Sequence, residues 1–108
     1  MIVYSKYLVP KSFSALTIFP FIFISNRADK NNTVLLNHEK IHLQQQKELL
    51  LVVFLLCYLC FFLYHLIRVK NSYKAYRQLC FEQEAYQNER DLNYLNHRKP
   101  YAFLNYCY

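Results

Sequence analysis

His38 and His42 stand four residues apart in the string His38-Glu39-Lys40-Ile41-His42, and their spacing is the most chemically informative feature of the chain. On a helix of 3.6 residues per turn, two imidazoles so placed project from one face and offer two nitrogens to a single metal ion. Glu39 lies beside the first of them. A carboxylate there is too near in sequence to be a natural third ligand, but it can take a proton from a metal-bound water. The pattern is HExxH, the arrangement of a zinc hydrolase, and it requires a third ligand from elsewhere in the chain.

Downstream, Glu82, Glu84 and Glu89 are three of the five glutamates and fall within eight residues. Glu82, Ala85, Tyr86 and Glu89 follow an i, i+3, i+4, i+7 stripe, so one acidic face can turn inward while Glu84 points elsewhere. Read alone, this is a solvated helix with Glu and Arg pairs. Beside HExxH, it is where the missing ligand is to be sought.

The elements that must carry these groups form one domain over residues 1–108, mainly helical with a short N-terminal β element, in an α+β arrangement. Residues 1–32 read as extended chain and turn. Within them Phe13 to Ser25 is rich in aromatic and β-branched residues around Pro20, which predicts an edge strand or a bent strand pair. Such an edge could accept a substrate backbone by strand addition. Asn26 to Asn32 is a polar turn, and Asn32 or Thr33 suits the N-cap of a helix from Val34 to Lys47, with 33–48 as the HExxH segment. The apolar segment 49–69 follows, its core Leu49 to Ile67 holding 19 residues with His65 as its one polar interruption. That length is at the short end for a membrane span, and near its end His65 is expected to hydrogen-bond or snorkel. Residues 71–108 comprise a glutamate helix from Tyr73 to about Arg90, capped by Asn71 or Ser72, then broken helix and an aromatic tail. In that tail Pro100 is placed like the first residue of a terminal helix, Tyr101 to Tyr106. No internal repeat is visible.

Composition narrows the function classes. Glycine is absent, which excludes phosphate-cradling glycine-rich loops. The net charge is +6, from 13 basic against 7 acidic residues, but the basic side chains are spread from Lys6 to Lys99 rather than gathered. Nucleic acid is therefore disfavoured as a partner, and attraction to anionic lipid is at least as good an account. Tyr and Phe supply 20 residues with no Trp, a load that points to a membrane surface, a hydrophobic partner or a homo-oligomer interface. Cys57, Cys60, Cys80 and Cys107 do not form a disulfide framework; they read as buried small hydrophobes in a protein facing a reducing, cytoplasmic compartment. No secretory signal is evident, so the expectation is a chain mature from its first residue.

HExxH followed about 40 residues later by Glu-x-x-Ala resembles the gluzincin zinc metallopeptidases, most closely their membrane-associated HtpX/CAAX-prenyl-protease and β-lactam-sensor peptidase branches. The likeness covers about residues 33 to 91, and its second motif is Glu82-Gln83-Glu84-Ala85-Tyr86. It implies zinc held by His38, His42 and Glu82, with Glu84 as the alternative ligand and Glu39 as general base toward a peptide carbonyl. Tyr86 stands where the family carries the aspartate that orients the first histidine. A phenol can accept from that ring but brings no negative charge, so either Glu89 or Asp91 adds the support or zinc is held more weakly. For the oxyanion, His97 is the candidate, with Tyr94 and Arg90 as alternatives.

One geometric condition follows. A straight span over Leu49 to Ile67 would carry His42 and Glu82 to opposite sides of a bilayer. A shared zinc ion therefore predicts that the apolar run folds back, lies in the interface, or is buried against the aromatic tail. The function expected is zinc-dependent peptide hydrolysis by a membrane-associated protein. The rival is a non-catalytic, membrane-associated interaction protein in which HExxH is a relic or an accident.

Overall fold

Pro20 divides the aromatic run into two strands. The computed structural model describes residues 2–5, 7–10 and 13–107, and in it β2 (Ala15–Ile18) and β3 (Phe21–Ile24) form an antiparallel hairpin about Phe19-Pro20. β1 (Ile2–Tyr4) pairs in parallel with β3, giving the order β1-β3-β2. Lys6, the first of the spread basic residues, lies outside the described residues. Ile22 and Ile24 of the central strand are fully buried, and β2 is the edge that packs on the first helix. The bent strand pair is thus the form the sequence expectation takes, with an edge facing the HExxH helix.

That helix, α1, runs Thr33–Leu49, with the Asn32 side chain accepting from the Leu35 amide as N-cap. It ends at Leu50, whose φ of 62° is a left-handed conformation that glycine would favour and this glycine-free chain gives to leucine. The turn separates α1 from α2, Leu51–Val69, a continuous 19-residue helix. Lys70, again left-handed at φ 56°, closes α2, and its amide returns to the Leu66 carbonyl.

The apolar run itself does not fold back. The return is made by the next segment. Tyr73 to Arg90, expected as one helix, is two: α3 (Ser72–Gln78) and α4 (Cys80–Asn88), with Leu79 extended between them at φ −58°, ψ 135°. α3 packs along α2, and the break at the fully buried Leu79 redirects α4 against α1. His42 and Glu82 therefore meet although α2 stays in one piece. Phe54, Phe81, Cys80 and Phe103 form the core joining α2, α4 and the C-terminal segment, with the Phe54 and Phe81 rings 4.6 Å apart. A second cluster, Ile41, Ala85 and Tyr94, joins α1 to α4 and to the short α5 (Tyr94–His97).

Pro100 does not begin a helix. It lies in a turn before Tyr101, which is left-handed at φ 59°, and the terminal 3-10 helix is Ala102–Tyr106. All four cysteines are free thiols; of these Cys80 is buried, whereas Cys60 and Cys107 are exposed. Burial as small hydrophobes thus describes Cys80 and not the set. The fold is mainly helical α+β.

Candidate metal centre

α1 presents His38 and His42 on the face it turns toward α4, and α4 presents Glu82 back to them. All three are buried, at 5, 6 and 4% exposure. Glu82 Oε1 lies 3.3 Å from His38 Nε2 and 3.1 Å from His42 Nε2, and one ligand atom from each of the three residues falls within 4.8 Å of the other two. A tetrahedral ion with bonds of about 2.0–2.1 Å holds its ligands about 3.3 Å apart. The cluster can therefore accept a metal ion with little rearrangement.

The outer nitrogens support the same reading. His38 Nδ1 is 3.1 Å from Glu89 Oε1, and His42 Nδ1 is 2.8 Å from Gln45 Oε1. Both partners are acceptors, so each Nδ1 carries the proton and donates it, directing each Nε2 lone pair at Glu82. Three acceptors then converge in a buried space, an arrangement that needs a cation or a proton between them. In the metal-free chain a proton serves. Burial lowers the His42 pKa, but the Glu82 carboxylate outweighs it and raises the imidazole to about 9. Burial likewise raises Glu82, and the two imidazoles outweigh it, holding the carboxyl well below the usual carboxylate range.

Each supporting group has its own anchor. Asn37 donates to the carbonyls of Asn88, Glu89 and Asp91, closing the end of α4 and setting Glu89 opposite His38. Gln45 is fully buried; its amide nitrogen donates to the Phe81 carbonyl and to Glu84 Oε1. Glu84, also fully buried, accepts from Tyr94 at 2.6 Å and from Arg98, whose guanidinium reaches on to Glu48. Glu84 is thus outside the ligand group and acts on His42 through Gln45. Replacing Gln45 with leucine should weaken metal binding about 10–100-fold with α-helical content unchanged, measured by competition against a chromophoric chelator; affinity equal to the parent would show that the amide does not orient His42.

Glu39 lies beside the set, on the wall of a groove of about 750 Å³ that it lines together with Thr17, His42, Tyr58 and Glu82. Thr17 Oγ1 donates to Glu39 Oε1 at 2.6 Å, and Glu39 Oε2 is 3.9 Å from His38 Nε2. Gln46 fastens β2 to this face: it donates to the Thr17 carbonyl at 2.8 Å and accepts from the Phe19 amide at 2.6 Å. From the far wall, Tyr58 of α2 donates to Glu82 Oε2 at 2.9 Å.

The remaining sequence candidates fall as follows. Tyr86 supports His38 through its ring, edge to face at 4.4 Å, while its hydroxyl pairs with Tyr76. The hydrogen bond to the first histidine comes from Glu89 and not from Tyr86 or Asp91. His97 is not in the groove: its side chain is 62% exposed and pairs with Asp91. Tyr94 is committed to Glu84, and Arg90 is exposed.

Thr17, Gln45, Gln46 and Tyr58 are the site groups that sequence reasoning missed. Gln45 and Gln46 were findable in principle, since i+3 and i+4 from His42 is the same helical face. Tyr58, inside an apolar run, carries no such signal. No protein-family model, no curated protein and no solved structure matches this chain.

Proposed function

We propose that the chain is a minimal zinc-dependent metallopeptidase of gluzincin type, with His38, His42 and Glu82 as ligands and Glu39 as general base. The observation that carries this reading is the placement of the Glu39 carboxylate, held by Thr17, beside a buried His-His-Glu set and on the wall of a large groove. Two imidazole nitrogens and one carboxylate oxygen are donors suited to zinc and poorly suited to magnesium or calcium, which take oxygen ligands. When bound, zinc supplies a Lewis acid that lowers the pKa of water and polarises a carbonyl.

The protein's own groups do the rest. Glu39, steadied by Thr17, accepts a proton from the attacking water and returns it to the leaving amine. β2 is an edge strand along the groove, and a peptide laid beside it would be held by backbone hydrogen bonds. Gln46 already occupies the Thr17 carbonyl, so pairing would use the remaining outward groups of β2. Tyr58, whose hydroxyl donates to Glu82 Oε2 on the groove wall, takes the oxyanion role for which His97 was the sequence candidate, turning from Glu82 to the substrate oxygen as charge develops there.

Metal analysis of purified protein tests the centre directly. Near-stoichiometric zinc is expected in the parent, and His42→Ala should reduce it by at least about tenfold. A parent protein that takes up no zinc, or a variant that retains it, refutes the assignment.

A further inference from the structure

α2 has two apolar faces and only one is used. Its inward stripe, with Phe54, Cys57, Tyr58 and Phe62, packs on the domain. The outward half carries Val52, Leu56, Leu59, Leu63 and Ile67, all exposed, with Cys60 and Tyr64 between them and no charged or amide side chain until Arg68 in the last turn. A surface helix of a water-soluble domain has a polar outer face. This one is apolar from Val52 to Ile67, about 24 Å at 1.5 Å per residue, and meets its first charge only at Arg68.

We propose that this outward half of α2 is a membrane-docking surface that seats the domain flat on an anionic lipid bilayer, with α2 lying in the plane of the interface. The position of α3 decides between lying and spanning. It packs along α2 and carries Lys74 and Gln78 exposed, so an α2 set along the bilayer normal would draw both into hydrocarbon beside it. An α2 lying in the plane immerses the apolar stripe alone and leaves α3 on the water side.

The charges select the occupant. Lys47 precedes the helix, and Arg68 and Lys70 close it, all exposed, with Arg68 5.8 Å from the Tyr64 ring centre. Two copies pairing through this face would bring cationic ends together in either direction, whereas acidic head groups complement both ends and the net charge of +6. Leu55 and Leu59 also wall the groove that leads to Glu39, so the seated domain would open that groove at the level of the acyl-chain boundary.

Because the chain has no tryptophan, single tryptophans report depth without background. The test uses the full chain with phosphatidylcholine vesicles, with and without phosphatidylserine, and brominated lipids as quenchers. Val52→Trp, Leu59→Trp and Ile67→Trp should show equal, shallow quenching on the anionic vesicles. Binding should weaken at high salt. The double variant Leu56→Glu/Leu63→Glu should partition at least about tenfold less, with its circular dichroism unchanged. Deep quenching of Leu59→Trp alone, between shallow ends, would establish a span and overturn the proposal. So would failure of the parent to bind vesicles, a soluble dimer that ignores them, or unaltered binding by the glutamate variant.

Discussion

Glu39→Gln should retain a full complement of zinc while peptide hydrolysis falls by at least about 10³-fold. The glutamine keeps the shape of the side chain and can still bond Thr17, but it cannot accept a proton from water. Glu39 is not one of the three clustered ligands, so metal content is the control that separates a lost base from a lost site. Hydrolysis would be followed with an unstructured fluorogenic peptide at neutral pH. If Glu39→Gln cleaves as fast as the parent, the activity belongs to another group or to a contaminant, and the peptidase reading falls. Tyr58→Phe provides the contrast. It removes the phenol that reaches Glu82 and should lower kcat about 10²-fold with a small change in KM, the pattern of a donor that acts mainly in the transition state.

The largest effect on stability is expected at Arg98. Its side chain is 2% exposed and joins two buried carboxylates, Glu48 at 2.8 Å and Glu84. Arg98→Ala would leave both acids buried without their cation, and removing one member of such a set costs about 3–5 kcal/mol. Urea unfolding of the metal-free protein measures it. A loss below about 1 kcal/mol would mean that solvent reaches the carboxylates and the network acts as a surface ion pair. The consequence extends beyond stability, because Glu84 holds Gln45 and Gln45 holds His42. The His-His-Glu cluster and the α1–α4 packing are therefore parts of one hydrogen-bonded structure.

What could be read in advance was local. The His38, Glu39 and His42 face follows from helical period alone, and the N-cap at Asn32 and the division of the strands at Pro20 follow from residue chemistry close by. Glu82 could be placed on an inward stripe with Ala85, Tyr86 and Glu89, but which of Tyr86 and Glu89 would hydrogen-bond His38 depended on how α4 sits against α1. Of the three consecutive glutamines Gln44 to Gln46, two are buried, because Glu84 and β2, 39 and 29 residues away, supply the partners that make Gln45 and Gln46 worth burying. The break at Leu79 had no proline or glycine to announce it; it exists because α3 must follow α2 while α4 must face α1.

The sequence by itself thus determined that HExxH would lie on a helix, that an acidic helix would follow, and that an apolar segment would separate them. Only the tertiary structure decided that Glu82 and not Glu84 joins the histidines, that Glu89 steadies the first of them, and that His97 stands apart. Period and propensity act over a few residues, whereas a metal centre is closed by contacts some forty residues apart, whose geometry depends on the turns at Leu50, Lys70 and Leu79.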